Sequence, residues 1–216
     1  FVNTVFIGHV GNVELGAVML GGIYYLVFTA LAMGFAIGVQ IIIARRLGEQ
    51  NYRQIGVVFE HGLLFTTILG IMLWLIMHFL SDILLDLIID SPNVYEAATQ
   101  FINYRHYGIV IVCINYLFRS LYIGLSNTKI ITYTTILMAA VNIFLDYALI
   151  FGNLGFPEMG IRGAGLASVC AELSALLLFV FHTLKMIPFR KYALFEFGKI
   201  EPQLLKSVLK LAFPTM

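Results

Sequence analysis

Long apolar runs separated by short polar turns set the plan of this chain. The opening stretch "FVNTVFIGHV" closes at Gly11 and Asn12 and reads as the end of a first helix. Apolar runs then predict a second span from about Leu15 to Ala44 and a third from about Ile55 to Phe79. A fourth runs from about Val94 to Leu125, a fifth from about Ile130 to Phe151 and a sixth from about Ile161 to Met186. Roughly 20 residues suffice for one crossing, so each run allows a tilted helix that continues beyond the hydrocarbon. Pro92, Pro157, Pro188, Pro202 and Pro214 fall in connections or near the start of the final segment. The complete spans therefore lack the residue that most often kinks a helix, and no proline-broken binding helix is expected. The pattern predicts an all-α polytopic membrane protein, a six-helix transmembrane bundle.

Composition strengthens that picture. The chain is 60% hydrophobic and 12% charged, half the charge of an ordinary soluble domain. A net charge of +1 with no basic block excludes a nucleic-acid partner, because nothing displaces phosphate counterions. Cys113 and Cys170 sit far apart inside apolar segments without metal-ligand spacing, and read as inert packing residues. No signal peptide is visible. Both ends of the sequence lie in apolar helical stretches, so a longer protein is expected.

Charge also sets sidedness. Arg45, Arg46 and Arg53 join spans two and three, and Arg119 and Lys129 flank the next turn on that side. Lys185, Arg190, Lys191, Lys199, Lys206 and Lys210 follow span six. Glu14, Asp82, Asp86, Asp90, Glu96 and Glu158 hold the opposite loops, where Arg162 is the only basic residue. The positive-inside rule places the start of helix one and the connection after span six in the cytoplasm. The chain divides into an amino-terminal lobe (1–187), a cytoplasmic linker (188–202) and the start of a seventh helix (203–216). In that last region Leu204, Leu205, Val208 and Leu211 share a face opposite Lys206, Ser207 and Lys210. That pattern suits a helix on the membrane surface, or equally a linker and the first turns of the next helix.

Ionisable groups inside a span need a partner or a function. Asn142 and Asp146 stand at i and i+4 on one face of span five, with Thr135 near the same stripe. Carboxylate, amide and hydroxyl oxygens suit a hard monovalent cation, and the carboxylate alone suits a proton. Ala164, Ser168, Ala171 and Ala175 form a small-residue face on span six. Ser168 serves either a cation near Asp146 or helix packing. Glu172, one turn further along, is a second proton site or an ion-pair partner for Arg105 at similar depth; the pair is favoured, since an unpaired buried Arg is expensive. Gln40 reads as a gate or substrate contact, or as packing. Glu60 and His61 are expected on a solvated interfacial face. His9, His78 and His182 lie near span boundaries, His106 is the one deep histidine, and no two have metal spacing.

The stretches "FIGHVGNVELGAVML", "IARRLGEQN", "FRSLYIGLSNTK" and above all "NIFLDYALIFGNLGFPEMGIRGAGLAS" resemble the multidrug and toxic compound extrusion (MATE) family, in the order of its first half. The resemblance implies one lobe of a twelve-helix, two-lobe transporter in the cell (inner) membrane. Such a protein exports organic, often cationic, compounds by alternating access against Na⁺ or H⁺, with no other cofactor. It implies a cation site at Asn142 and Asp146, a hydroxyl contribution from Ser168, and a second six-helix lobe as partner. Many members carry an Asp eight residues before the glycine matching Gly11; Asn3 stands there in this chain. One carboxylate fewer weakens Na⁺ binding, leaves the coupling ion open and shifts the burden to Asp146, while Asn3 still offers a carbonyl oxygen. A lipid-linked precursor flippase of similar architecture is the alternative, though it needs several cavity arginines and only Arg105 lies deep. No enzyme is expected: an aspartyl intramembrane protease needs two membrane aspartates and a GxGD setting, and neither is found. Nothing in the sequence favours a non-transporting subunit.

Overall fold

The computed structural model describes residues 2–186 and 189–195. The expected surface helix and the start of a seventh helix lie outside the described residues. A short helix α1 (Val2–Ile7) leads into α2 (Asn12–Gly48) and α3 (Tyr52–Asp86). Helix α4 (Pro92–Arg105), a 3₁₀ turn (His106–Gly108) and α5 (Ile109–Gly124) together make one crossing. Two further crossings, α6 (Lys129–Phe151) and α7 (Ile161–Met186), precede the single turn α8 (Phe189–Tyr192). No strand occurs among the described residues. Five crossings are long and apolar enough for a bilayer.

Helix α2, with 37 residues, is about 55 Å long at the usual rise, well beyond a core about 30 Å thick. Its surplus carries Arg45 and Arg46 out to Glu49, which accepts bonds from Arg45 Nε (2.8 Å) and Arg46 Nη1 (2.7 Å). The Arg45 and Arg46 bonds hold the Glu49 carboxyl below its usual range. Their contribution is present above the ordinary carboxylate pKa and fades as pH falls through the lowered one. Being exposed, these contacts stabilise little.

Each long helix buries one side and leaves large apolar residues on the other. Ile23, Val27, Ile68, Ile83, Ile136, Leu177 and Phe181 are all more than half exposed. In water such patches would drive aggregation; against lipid tails they are at rest. Two apolar clusters form the interior. Toward the acidic end, Leu73, Met77, Phe101, Ile102 and Ile109 pack with Ile150 and Ile161. Toward the basic end, Phe35, Ile43, Val58, Phe59, Leu121 and Tyr122 pack with Phe179.

Two features differ from the sequence expectation. The fourth span is broken at His106–Gly108 although no proline is near. There the backbone sits close against an ion pair: a Cβ at Gly108 would come within 2.6 Å of Glu172 Oε2 and 2.8 Å of Arg105 Nη1. Glu60 and His61 are buried rather than solvated, at 9% and 7% exposure. The segment after α7 folds back over that end of α3. Gly56 lies against the carbonyls of Tyr192 and Ala193, and the Phe59 and Phe195 rings meet edge to face with centroids 6.0 Å apart. Residues 189–195 of the expected linker are thus packed on the bundle.

A hydrogen-bonded chain ties α5 to α7 at the basic end. The Thr183 hydroxyl donates to the Phe179 carbonyl (2.7 Å), so Tyr122 O–H must donate to Thr183 Oγ1 (2.7 Å). The Tyr122 oxygen then accepts from His182 Nδ1–H at 2.9 Å. Tyr122→Phe leaves the imidazole N–H without its acceptor in an apolar setting. The expected loss is about 1–3 kcal/mol, read as a lowered midpoint of thermal unfolding in detergent.

Candidate cation site

Helix α6 ends in a left-handed cap at Gly152 (φ 67°), and the chain turns back so that Met159 N–H donates to the Leu149 carbonyl at 2.8 Å. This tight return sets the start of α7 against the end of α6. Gly163 makes the approach possible, because a Cβ there would come within 2.7 Å of the Leu149 carbonyl oxygen. One turn before Leu149 on α6 is Asp146, with 0% exposure. Neither of its carboxylate oxygens has a hydrogen-bond partner among the described residues, and the same holds for Asn142 Nδ2. A buried carboxylate without a partner is costly by several kcal/mol, which makes it a functional candidate.

Beside α6, helices α1 and α7 bring two more polar groups together. Asn3 Nδ2 donates to Ser168 Oγ (2.7 Å) and to the Ala164 carbonyl (3.0 Å), and Ser168 Oγ donates to that carbonyl at 3.0 Å. Both amide protons of Asn3 are therefore engaged, leaving its carbonyl oxygen as a free acceptor. On these three neighbouring helices Asp146 carries the charge, and Asn142, Ser168 and Asn3 are neutral oxygen-bearing groups. That donor set suits Na⁺, or a proton on the carboxylate with the other groups as polar surroundings.

Other expected residues fall elsewhere. Thr135 is exposed, and its hydroxyl donates to the Ile131 carbonyl of its own helix (2.8 Å). Gln40 is half-buried on α2, its carbonyl against Gly124 in the basic half of the bundle, away from Asp146. Glu172 and Arg105 meet in a bidentate ion pair: Arg105 Nη1 donates to Oε2 at 2.8 Å and Nη2 to Oε1. The two acids are thus in opposite situations. Glu172 is held by a cation; Asp146 is not.

Sequence reasoning missed three groups. The Tyr25 ring lies 3.8 Å under the Arg105 guanidinium, and Asn115 Nδ2 donates to the Glu172 carbonyl at 2.9 Å. Asn115 was visible as a polar residue within "VCINYLF"; Tyr25 carried no such signal. His78 and His106 approach to 3.4 Å between Nδ1 and Nε2. Because His106 Nδ1–H donates to the Ile102 carbonyl (3.0 Å), its Nε2 is the acceptor and His78 the donor. No cluster of three or more metal-ligating His, Cys, Asp or Glu occurs among the described residues, and Cys113 and Cys170 are free.

Membrane-length helices packed around an unpartnered carboxylate define a polytopic membrane protein. The chain belongs to the MatE family, whose model matches residues 1–148. The family is one of transporters, not enzymes. A probable multidrug resistance protein NorM from Halalkalibacterium halodurans is 32% identical over 197 residues, 91% of this chain and 43% of that protein. Two solved structures share the fold. An inward-facing conformation of a multidrug resistance MATE family transporter of the MOP superfamily gives a TM-score of 0.88 at 24% identity, over 99% of this chain and 48% of that one. An outward-facing conformation of such a transporter gives 0.87 at 23% identity, over 99% and 46%. The chain spans about half the length of the proteins it matches.

Proposed function

We propose that this chain is the amino-terminal six-helix lobe of a secondary antiporter that exports organic cations in exchange for Na⁺ or H⁺. Asp146 receives the coupling cation or proton, with Asn142, Ser168 and Asn3 as neutral contributors. The observation that carries the reading is the fully buried carboxylate with both oxygens unpartnered. Neutralising it removes the penalty of a bare buried charge and so favours a different packing of α1, α6 and α7. If substrate favours the other state, ion and substrate each lower the affinity for the other. A second lobe completes the substrate cavity, and the end bearing Arg45 and Arg46 faces the cytoplasm of a cell whose inner membrane holds the protein. The flippase alternative is disfavoured because the deep Arg105 is held in a bidentate pair with Glu172, whose carboxylate already balances its charge.

Efflux of a fluorescent cationic dye from vesicles holding the complete transporter tests this. With Na⁺ and pH gradients imposed separately, one inward gradient is expected to drive efflux and the other to be without effect. Dye movement indifferent to both gradients would remove the antiport reading.

A further inference from the structure

Glu172 lies four residues after Ser168 and eight after Ala164 on α7, so the three share one stripe of that helix. Ala164 and Ser168 hold Asn3 at one end of the stripe; Arg105 holds Glu172 at the other. We propose that Arg105 and Glu172 are a positioning pair, closed throughout the transport cycle, that sets the rotation of α7 and so presents Ser168 to Asp146. This rests on the cation-site reading above.

The pair is furnished on every side. The guanidinium covers the Tyr25 ring of α2, and Asn115 of α5 holds the Glu172 backbone. Gly108, in the break of the fourth span, clears the space that a Cβ would fill. Four elements around the break therefore converge on a single residue of α7. About two turns outward the same helix is pressed onto α4, since a Cβ at Gly165 would come within 2.8 Å of the Phe101 carbonyl. Turning α7 far enough to swing Ser168 away would tear the pair apart and leave Arg105 buried alone. Protonating Glu172 would do the same, which sets it apart from Asp146. The other ionisable groups that feel the pair are Tyr25, Tyr116 and Cys113. The fold matches the inward-facing and outward-facing transporters almost equally, at 0.88 and 0.87. A staple internal to the lobe is compatible with both states.

The test measures ion-driven dye efflux by the complete transporter in proteoliposomes, separating the half-saturating concentration of the driving ion from the maximal rate. Glu172→Asp keeps the charge but shortens the reach, and Arg105→Met with Glu172→Leu removes both charges together. Both are expected to raise the half-saturating concentration about tenfold or more, as loss of a ligand's supporting partner does, while the maximal rate and the form of the pH profile persist. An unchanged half-saturation in Glu172→Asp would reduce the pair to a staple of the fold and overturn the proposal. Loss of ion coupling in the double variant, or loss of one step from its pH profile, would make Glu172 a carrier and overturn it too. A measurement on the unmodified protein needs no variant to fold. Infrared spectra with labelled glutamate at neutral pH are expected to show no protonated-carboxyl band on ion addition or removal, and a band that vanishes in Glu172→Asp would overturn the proposal. Asp146→Asn in the same assay keeps the two ideas apart: full activity there sinks the site itself, whereas its inactivity beside unaltered pair variants sinks only the positioning role.

Discussion

Asp146→Asn is expected to reduce dye efflux to the level of empty vesicles while the protein still inserts and folds. The two side chains have nearly the same shape, so packing around a position with 0% exposure changes little. What changes is charge. An amide neither holds a cation with a full negative charge nor accepts a proton at physiological pH, so the ion gradient loses its point of attachment. Thermal stability is expected to hold or rise, because the substitution removes a carboxylate whose oxygens both lack partners. Such a split between stability and activity is the mark of a site kept for function at a cost to the fold. Asp146→Glu should retain part of the activity, since it preserves the charge, but an extra methylene in a closed pocket costs about 1–3 kcal/mol of strain. Efflux and thermal melting measured on one preparation check all three expectations. A variant that loses both activity and stability would mark Asp146 as a structural residue.

The contrast between Asp146 and Glu172 explains how one small bundle tolerates two buried acids. Each lies on a helix beside the other's, yet the fold surrounds one with a guanidinium, a ring and an amide and leaves the other bare. A neutral Glu172 would orphan Arg105; a neutral Asp146 would orphan nothing. On the proposed reading, bistability therefore concentrates at Asp146, where a coupling ion would act.

Much of this frame is legible in the sequence because a bilayer punishes polar backbone and charge so heavily. Apolar runs bounded by "GN", "GEQN" and "LSNTK" mark helices and turns without tertiary information, and Asn142 with Asp146 stands out through spacing alone. Depth matching was enough to bring Arg105 and Glu172 under suspicion together. The rest needed the third dimension. The break at His106–Gly108 carries no proline to announce it, and only the fold shows Gly108 set against that ion pair. The burial of Glu60 and His61 had no local signal, and residues 192–195, which cover α3 at Gly56 and Phe59, lie more than 130 positions away in sequence. His78 and His106, on different helices, carry no shared spacing to betray their contact.

Gly163→Val is expected to be the most damaging apolar substitution near the site, and it distinguishes helix contact from composition. Even the Cβ of alanine at 163 would come within 2.7 Å of the Leu149 carbonyl oxygen, 2.8 Å of its carbon and 3.0 Å of its Cβ. The obstacle is backbone that already accepts the bond from Met159 N–H, so no side chain can swing aside. α7 must move off α6, and a β-branched side chain forces a larger displacement than alanine. Small residues at membrane helix contacts act through this close approach, and overfilling a packed contact costs about 1–3 kcal/mol or more. The displacement also shifts α7 relative to Asp146, three residues before the point of collision, and so disturbs the proposed site. Both stability and efflux should therefore fall, with Gly163→Ala intermediate. Gly22 on α2 supplies the control, because a Cβ there meets nothing within 4 Å. Gly22→Ala should keep full efflux and gain slightly in stability from its better helix propensity, by about 0.5–1 kcal/mol. Thermal melts and dye efflux on the three variants separate the cases. Equal behaviour of Gly163→Val and Gly22→Ala would mean that α6 and α7 do not approach as closely as the Leu149 contact requires.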